Sequence, residues 1–250
     1  MLDTSSDLLE SIQLYYGRVS QENLDLPVPS AYLVRRHIRH YCPNKLIAGS
    51  SGGVNIDFIK SWITGYHSPS KMIESIRGKP APLWGLYGTL LRGLMDSLLV
   101  YLPLFLMGRR PSFPSWLTFI PTSDYYFWSI FLMPVYLFAI WLLLSSLIHL
   151  LLRLSGNASS MDLIMNVSGM SDLVVGAFLI VWDWSWIILG LKSDVVLGIS
   201  HLGFSVWGLV ICTIGFRRLL GIRLRIAVLM NVIWILAGLP LSIVFVRPPV

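Results

Sequence analysis

Acidic residues and cysteines are both scarce in this chain. It carries 13 Asp and Glu against 19 Lys and Arg, and charged residues of either sign make up only 13% of its 250 positions. Two cysteines, Cys42 and Cys212, are too few and too far apart for a disulfide framework or a zinc site. His37 and His40 stand near Cys42 at a loosely ligand-like spacing, but no second ligand pair accompanies them. The opening MLDTSSDLLES has no basic stretch followed by an apolar core, so the first membrane span is expected to act as its own insertion signal. Gly49-Ser50-Ser51-Gly52-Gly53 lacks the Gly-Lys-Ser/Thr ending of a phosphate-binding loop and reads as a linker. No Ser/His/Asp set, paired-carboxylate site or nucleotide fingerprint is recognisable, so the chain is expected not to be an enzyme and to carry no cofactor.

What the chain has is apolar length. Hydrophobic residues make up 55% and mean hydropathy is +0.69, which excludes an ordinary soluble domain and points to several helices buried in lipid. Residues 125–153 run from an aromatic cluster, Tyr125 to Trp128, to Arg153 with His149 as the one ionisable side chain between. A helix needs about 20 mostly apolar residues to cross the hydrocarbon layer, and this run has enough to cross with tilt. With four similar runs beside it, the expected spans are five, at 86–107, 125–152, 167–189, 195–214 and 226–246. The fold class is therefore an all-α polytopic bundle of five transmembrane helices, residues 81–250, behind a cytoplasmic or interfacial region, residues 1–80.

That leading region reads as short amphipathic helices. Residues 3–17 form one, a Leu26-Pro27-Val28-Pro29 linker breaks the chain, and residues 31–42 set Arg35, Arg36 and Arg39 against Leu33, Val34 and Ile38. Asn55 caps a helix carrying Ile56, Ile59, Trp62, Ile63 and Tyr66, and a second begins at Pro69; both read as interfacial. The net charge of +6 does not imply nucleic acid, because the basic residues gather at the edges of apolar runs, where topology and anionic lipid account for them. Nine of them precede the first span, and Arg153, Arg217, Arg218, Arg223 and Arg225 fall on the same side. Arg109, Arg110, Lys192 and Arg247 fall on the other, so the positive-inside rule places the N-terminus in the cytoplasm and the C-terminus outside. Arg35, Arg36, Arg39, Arg217, Arg218, Arg223 and Arg225 are the candidate contacts to the membrane surface or to partners.

Ionisable residues inside the spans are the candidate site. Arg92 and Asp96 stand four apart, where opposite charges on one helix face pair. Asp172, about one turn into the expected third span, and His149, one turn before the inner end of the second, are placed to reach the level of Arg92. An Arg92/Asp96/His149/Asp172 network has two readings, a packing network and a proton or ion relay. The packing reading is preferred, because no inverted repeat accompanies the acids. Trp182-Asp183-Trp184-Ser185-Trp186 is an aromatic belt with an acid in it, and His201 is placed to meet Asp183. His149 and His201 lie near opposite faces, which excludes paired heme ligation. Asn157-Ala158-Ser159 and Asn166-Val167-Ser168 match the glycosylation pattern, and both are expected in an inner loop. Gly203, Gly208, Gly215 and Gly221 offer small faces for close helix packing.

The order of features from about Ser70 onward resembles the Yip domain family, five-span proteins named for interaction with Ypt/Rab GTPases. The likeness rests on the basic, proline-broken approach Arg77-Gly78-Lys79-Pro80-Ala81-Pro82-Leu83-Trp84 and on Pro134 and Trp141 in the second span. It continues through the small-residue hinge Ser155-Gly156-Asn157-Ala158-Ser159-Ser160, Gly169-Met170-Ser171 and Ser205-Val206-Trp207-Gly208-Leu209. Gly85-Leu86-Tyr87-Gly88 stands where eukaryotic members carry Asp-Leu-Tyr-Gly-Pro, so the chain looks like a prokaryotic-type member. The resemblance implies a membrane-organising or adaptor role and a GTPase among the candidate partners.

The expected function is a non-catalytic membrane scaffold or accessory subunit, in contact with the bilayer and with other membrane subunits, in a prokaryotic inner membrane or, alternatively, an endomembrane. The competing expectation is a small ion- or proton-coupled transporter using its intramembrane acids.

Overall fold

A computed structural model describes residues 53–246, apart from 80, 112, 113, 115, 158 and 192. The expected helices at 3–17 and 31–42, with Arg35, Arg36 and Arg39, lie outside the described residues. Seven helices form the described part: α1 (Gly53–His67), α2 (Pro69–Ile76), α3 (Leu83–Leu106), α4 (Tyr125–Leu154), α5 (Met161–Ile188), α6 (Asp194–Leu220) and α7 (Leu224–Phe245). No strand occurs among the described residues. Helices α3 to α7 are each long and apolar enough to cross a membrane, so the chain is a multi-pass integral membrane protein.

Helix α5 is the axis of the bundle. In its most apolar stretch 72% of residues are buried, against 11% across the corresponding stretch of α6 and 17% in α7. The helix begins at Met161, earlier than position 167, because Ser160 caps it by accepting from the Leu163 N–H and Asp162 sits favourably in the first turn. This corrects two expectations. Asn166 lies in a buried helix instead of a loop, and Asp172 lies about three turns into the helix instead of one. Helix α6 likewise continues past 214 to Leu220, bringing Arg217 and Arg218 into its last turn, where cations suit the carbonyl-rich end. Gly221, at φ 69°, ends it with an open left-handed turn.

Small residues let α3 and α5 meet backbone to backbone. A Cβ on Gly88 would lie 2.6 Å from the Gly169 carbonyl oxygen, and one on Gly85 would overlap the Met165 carbonyl. Proline at the N-cap leaves the first turn of α3 without a side-chain cap. Asn166 of α5 supplies it: its Oδ1 accepts from the Gly85 N–H at 2.8 Å, and its Nδ2 donates to the Ala81 carbonyl at 2.9 Å. Helix α4 joins the same side through Trp141, whose Nε1 donates to the Met165 carbonyl at 3.0 Å, and through a Ser145–Ser168 hydroxyl contact of 3.2 Å. Residues 97–101 of α3 wind as a π-turn. Of the expected small faces, Gly208 and Gly215 pack against Val175 and Val167 of α5, whereas Gly203 and Gly221 meet no neighbour.

Helices α1 and α2 form a hairpin packed on the bundle. Phe58 of α1 sits edge-on to Trp84, near the start of α3, while Tyr66 sits edge-on to Phe178 of α5 at 5.1 Å between ring centroids. Burial raises the Tyr66 phenol above its ordinary range. A Cβ on Gly65 would overlap the Val174 and Met72 side chains, so this glycine is what brings the hairpin tip onto α5. Helix α2 returns beside α6, with Ile73 against Gly215 and Arg77 donating to the Arg218 carbonyl at 3.2 Å. At about 1.5 Å rise per residue, Val174 lies about 20 Å along α5, so the tip reaches the middle of that helix.

The ends of the bundle differ. Arg77, Arg153, Arg217, Arg218, Arg223 and Arg225 gather where α2, α4 and α6 end and α7 begins, the basic end. Trp182, Trp184 and Trp186 mark the other, aromatic end, next to a loop in which Trp116 and Phe119 are exposed.

Candidate functional site

One face of α5 carries Asp172, Gly176 and Asp183, at spacings of four and seven residues that keep them in line along the helix. Arg92 of α3 crosses this face at Gly176. A Cβ there would overlap Arg92 Nε and Cδ, so glycine is the notch through which the guanidinium passes. Arg92 donates to the Asp96 carboxylate one turn on, and both residues are buried. Two acids of α5, Asp172 and Asp183, also attract it electrostatically. Buried ionised groups persist only when paired, and the guanidinium has Asp96 in contact and two further acids within electrostatic reach.

Toward the aromatic end, Asp183 is buried and its Oδ1 lies 2.7 Å from His201 Nε2 of α6. The adjacent Trp182 Nε1 donates to Ser200 Oγ at 2.7 Å, so two consecutive residues of α5 clamp two consecutive residues of α6. Thr89 and Ser97 on α3 flank the Arg92–Asp96 pair with buried hydroxyls that have no hydrogen-bond partner among the described residues.

The structure thus brings Arg92 and Asp96 into contact and sets Asp172 within their field. It does not bring His149 there. The His149 Nδ1 lies 2.7 Å from Ser159 Oγ, tying the end of α4 to the loop before α5 at the basic end. In its place stands Asp183, with His201 behind it. The signal for Asp183 was its register, eleven residues beyond Asp172 on one helical face. Arg217, Arg218, Arg223 and Arg225 are exposed at the basic end, away from the cluster.

Asp172 differs from the other acids. Ser171, Leu173 and Val174 around it are buried, yet Asp172 itself is exposed and makes no hydrogen bond or ion pair within 4 Å among the described residues. It lies within electrostatic reach of Tyr136 on α4 and Cys212 on α6 as well as Arg92. Helix α7 touches α6 near the basic end, where Asn231 Nδ2 donates to Thr213 Oγ1 at 2.7 Å. Near the aromatic end α7 goes to α4 instead, through Tyr136–Ser242 at 3.0 Å and Tyr125 donating to the Phe245 carbonyl at 2.6 Å. Helix α6 there follows α5, through Trp182–Ser200 and Asp183–His201, so α6 and α7 turn to different neighbours toward that end.

Among the described residues no three His, Cys, Asp or Glu side chains are grouped to hold a metal ion. No family model matches the chain, and neither a curated protein nor a solved structure is significantly similar to it.

Proposed function

We propose that the protein is a non-catalytic scaffold or accessory subunit of a membrane complex, and that a partner's membrane helix covers the exposed Asp172. The observation that carries this reading is the state of Asp172 itself, an exposed acid at mid-span that makes no hydrogen bond or ion pair within 4 Å among the described residues. A carboxylate there is costly until a basic or hydrogen-bonding group from elsewhere meets it. The sparse coverage of α6 and α7 within the bundle leaves these helices open to a partner. Basic residues collected at one end support an orientation with that end and the N-terminus in the cytoplasm and the C-terminus outside, and the resemblance to a prokaryotic-type Yip member favours a prokaryotic inner membrane. The resemblance to the Yip domain family adds a GTPase as a candidate partner at the cytoplasmic face. Isolation from native membranes in a mild detergent tests the reading: a stoichiometric membrane companion supports it, and a monodisperse monomer without one opposes it.

The second reading, an ion- or proton-coupled transporter, is favoured by the line of Asp172, Arg92, Asp96, Asp183 and His201 with the Thr89 and Ser97 hydroxyls, unpartnered among the described residues, beside it. Reconstituted vesicles decide between them. Proton or ion flux that Asp172→Asn abolishes would establish the transporter; no flux leaves the scaffold.

A further inference from the structure

The groove between α1 and α2 is built on a different principle from the charged cluster. It has a volume of about 440 Å³, and ammonium groups stand around it: Lys60 on α1, Lys71 on α2 and Lys79 ahead of α3. Asp57 is the only acid among its lining residues, which leaves the groove with a surplus of positive charge. The nearby Glu74 does not neutralise it, because its Oε1 is engaged by Arg77 Nε at 3.0 Å.

The hydroxyls in the groove have their protons committed. Ser75 Oγ donates to the Met72 carbonyl at 2.6 Å, so Ser61, 2.5 Å away, donates to Ser75; Thr64 donates to the Lys60 carbonyl at 2.7 Å. An anion in this groove is therefore held by the lysines, as point charges, without a rigid fork of donors. Lys79 is already positioned, with its Nζ 4.4 Å from the centre of the Trp84 ring.

The occupant is indicated by what adjoins the groove. Ile56, Ile59 and Ile63 of α1 are 57%, 49% and 50% exposed and form one apolar stripe beside the polar stripe of Asp57, Lys60 and Thr64. An apolar stripe next to a cationic groove, on a hairpin whose tip reaches the middle of α5, matches a molecule with a phosphate at one end and hydrocarbon at the other. Lys71, in the first turn of α2 beside that tip, also needs an anionic or aqueous neighbour.

We propose that the α1–α2 groove binds the phosphate headgroup of an anionic phospholipid, with its acyl chains lying along Ile56, Ile59 and Ile63. The full-length protein in nanodiscs of phosphatidylcholine with a minor share of phosphatidylglycerol provides the test, by native mass spectrometry of the lipid retained. Wild type retains phosphatidylglycerol in preference to phosphatidylcholine, and millimolar inorganic phosphate does not displace it. Lys60→Gln/Lys71→Gln/Lys79→Gln weakens retention by roughly 100-fold, and the corresponding triple Arg variant keeps it. Equal retention of the two lipids by wild type overturns the proposal without recourse to any variant. So does displacement by inorganic phosphate, which would make the groove a free-anion site, or undiminished retention in a folded Gln variant.

Discussion

Arg92 lies across Gly176, its guanidinium threaded through the gap that the missing side chain leaves on α5. This single juxtaposition sets a buried cation between the acid of its own helix, Asp96, and the two acids of α5. It also fixes the spacing of the two best-packed helices.

Filling the notch is expected to damage the bundle. Gly176→Ala forces Arg92 aside in a packed interior and should lower stability by roughly 1–3 kcal/mol. Gly203→Ala, where a Cβ meets nothing within 4 Å, should leave it unchanged or slightly improved. Thermal unfolding of the two purified variants in the same detergent checks this; equal midpoints would contradict the notch.

The ion pair should behave asymmetrically. Arg92→Leu alone strands Asp96 in an apolar interior and is expected to cost roughly 3–5 kcal/mol, whereas Arg92→Leu/Asp96→Leu should recover much of that loss. A double mutant no more stable than the single one would mean that Asp172 or Asp183 is Arg92's more important partner.

Asn166 caps a helix other than its own. Asn166→Leu removes both bonds to the start of α3 and leaves the Gly85 N–H unpaired, for an expected loss of about 1–3 kcal/mol. Hydrogen exchange should then quicken at the first turn of α3 before it does in α5. Unchanged protection at Gly85 would show that water replaces the cap.

Most of the bundle was readable from composition, because a stretch that must cross lipid has to be long, apolar and edged by charge or indole. The Arg92–Asp96 spacing and the meeting of His201 with Asp183 followed from helix periodicity and depth. The depth of Asp172 did not, because the small residues before Met161 read as a hinge running further than it does; Ser160 followed by Asp162 was the helix-start signal. The seat of the hairpin was hidden for a different reason. Gly65 on Val174 and Gly176 under Arg92 are complementarities between positions about a hundred residues apart, and no local pattern encodes them. His149 was drawn to the cluster by depth alone, when a nearby hydroxyl in the following loop satisfied it.

Orientation has its own test. With the basic end in the cytoplasm, a cysteine introduced by Arg218→Cys should react with an impermeant thiol reagent only in inverted vesicles, and one introduced by Arg110→Cys only in intact cells. The opposite pattern would reverse the topology.

The reading that Asp172 awaits a partner is tested most directly by isolating wild type and Asp172→Asn side by side from native membranes in mild detergent. The expected result is a stoichiometric membrane companion with wild type that is lost from the folded, monodisperse variant. A companion retained equally by both, or absent from both, would contradict it.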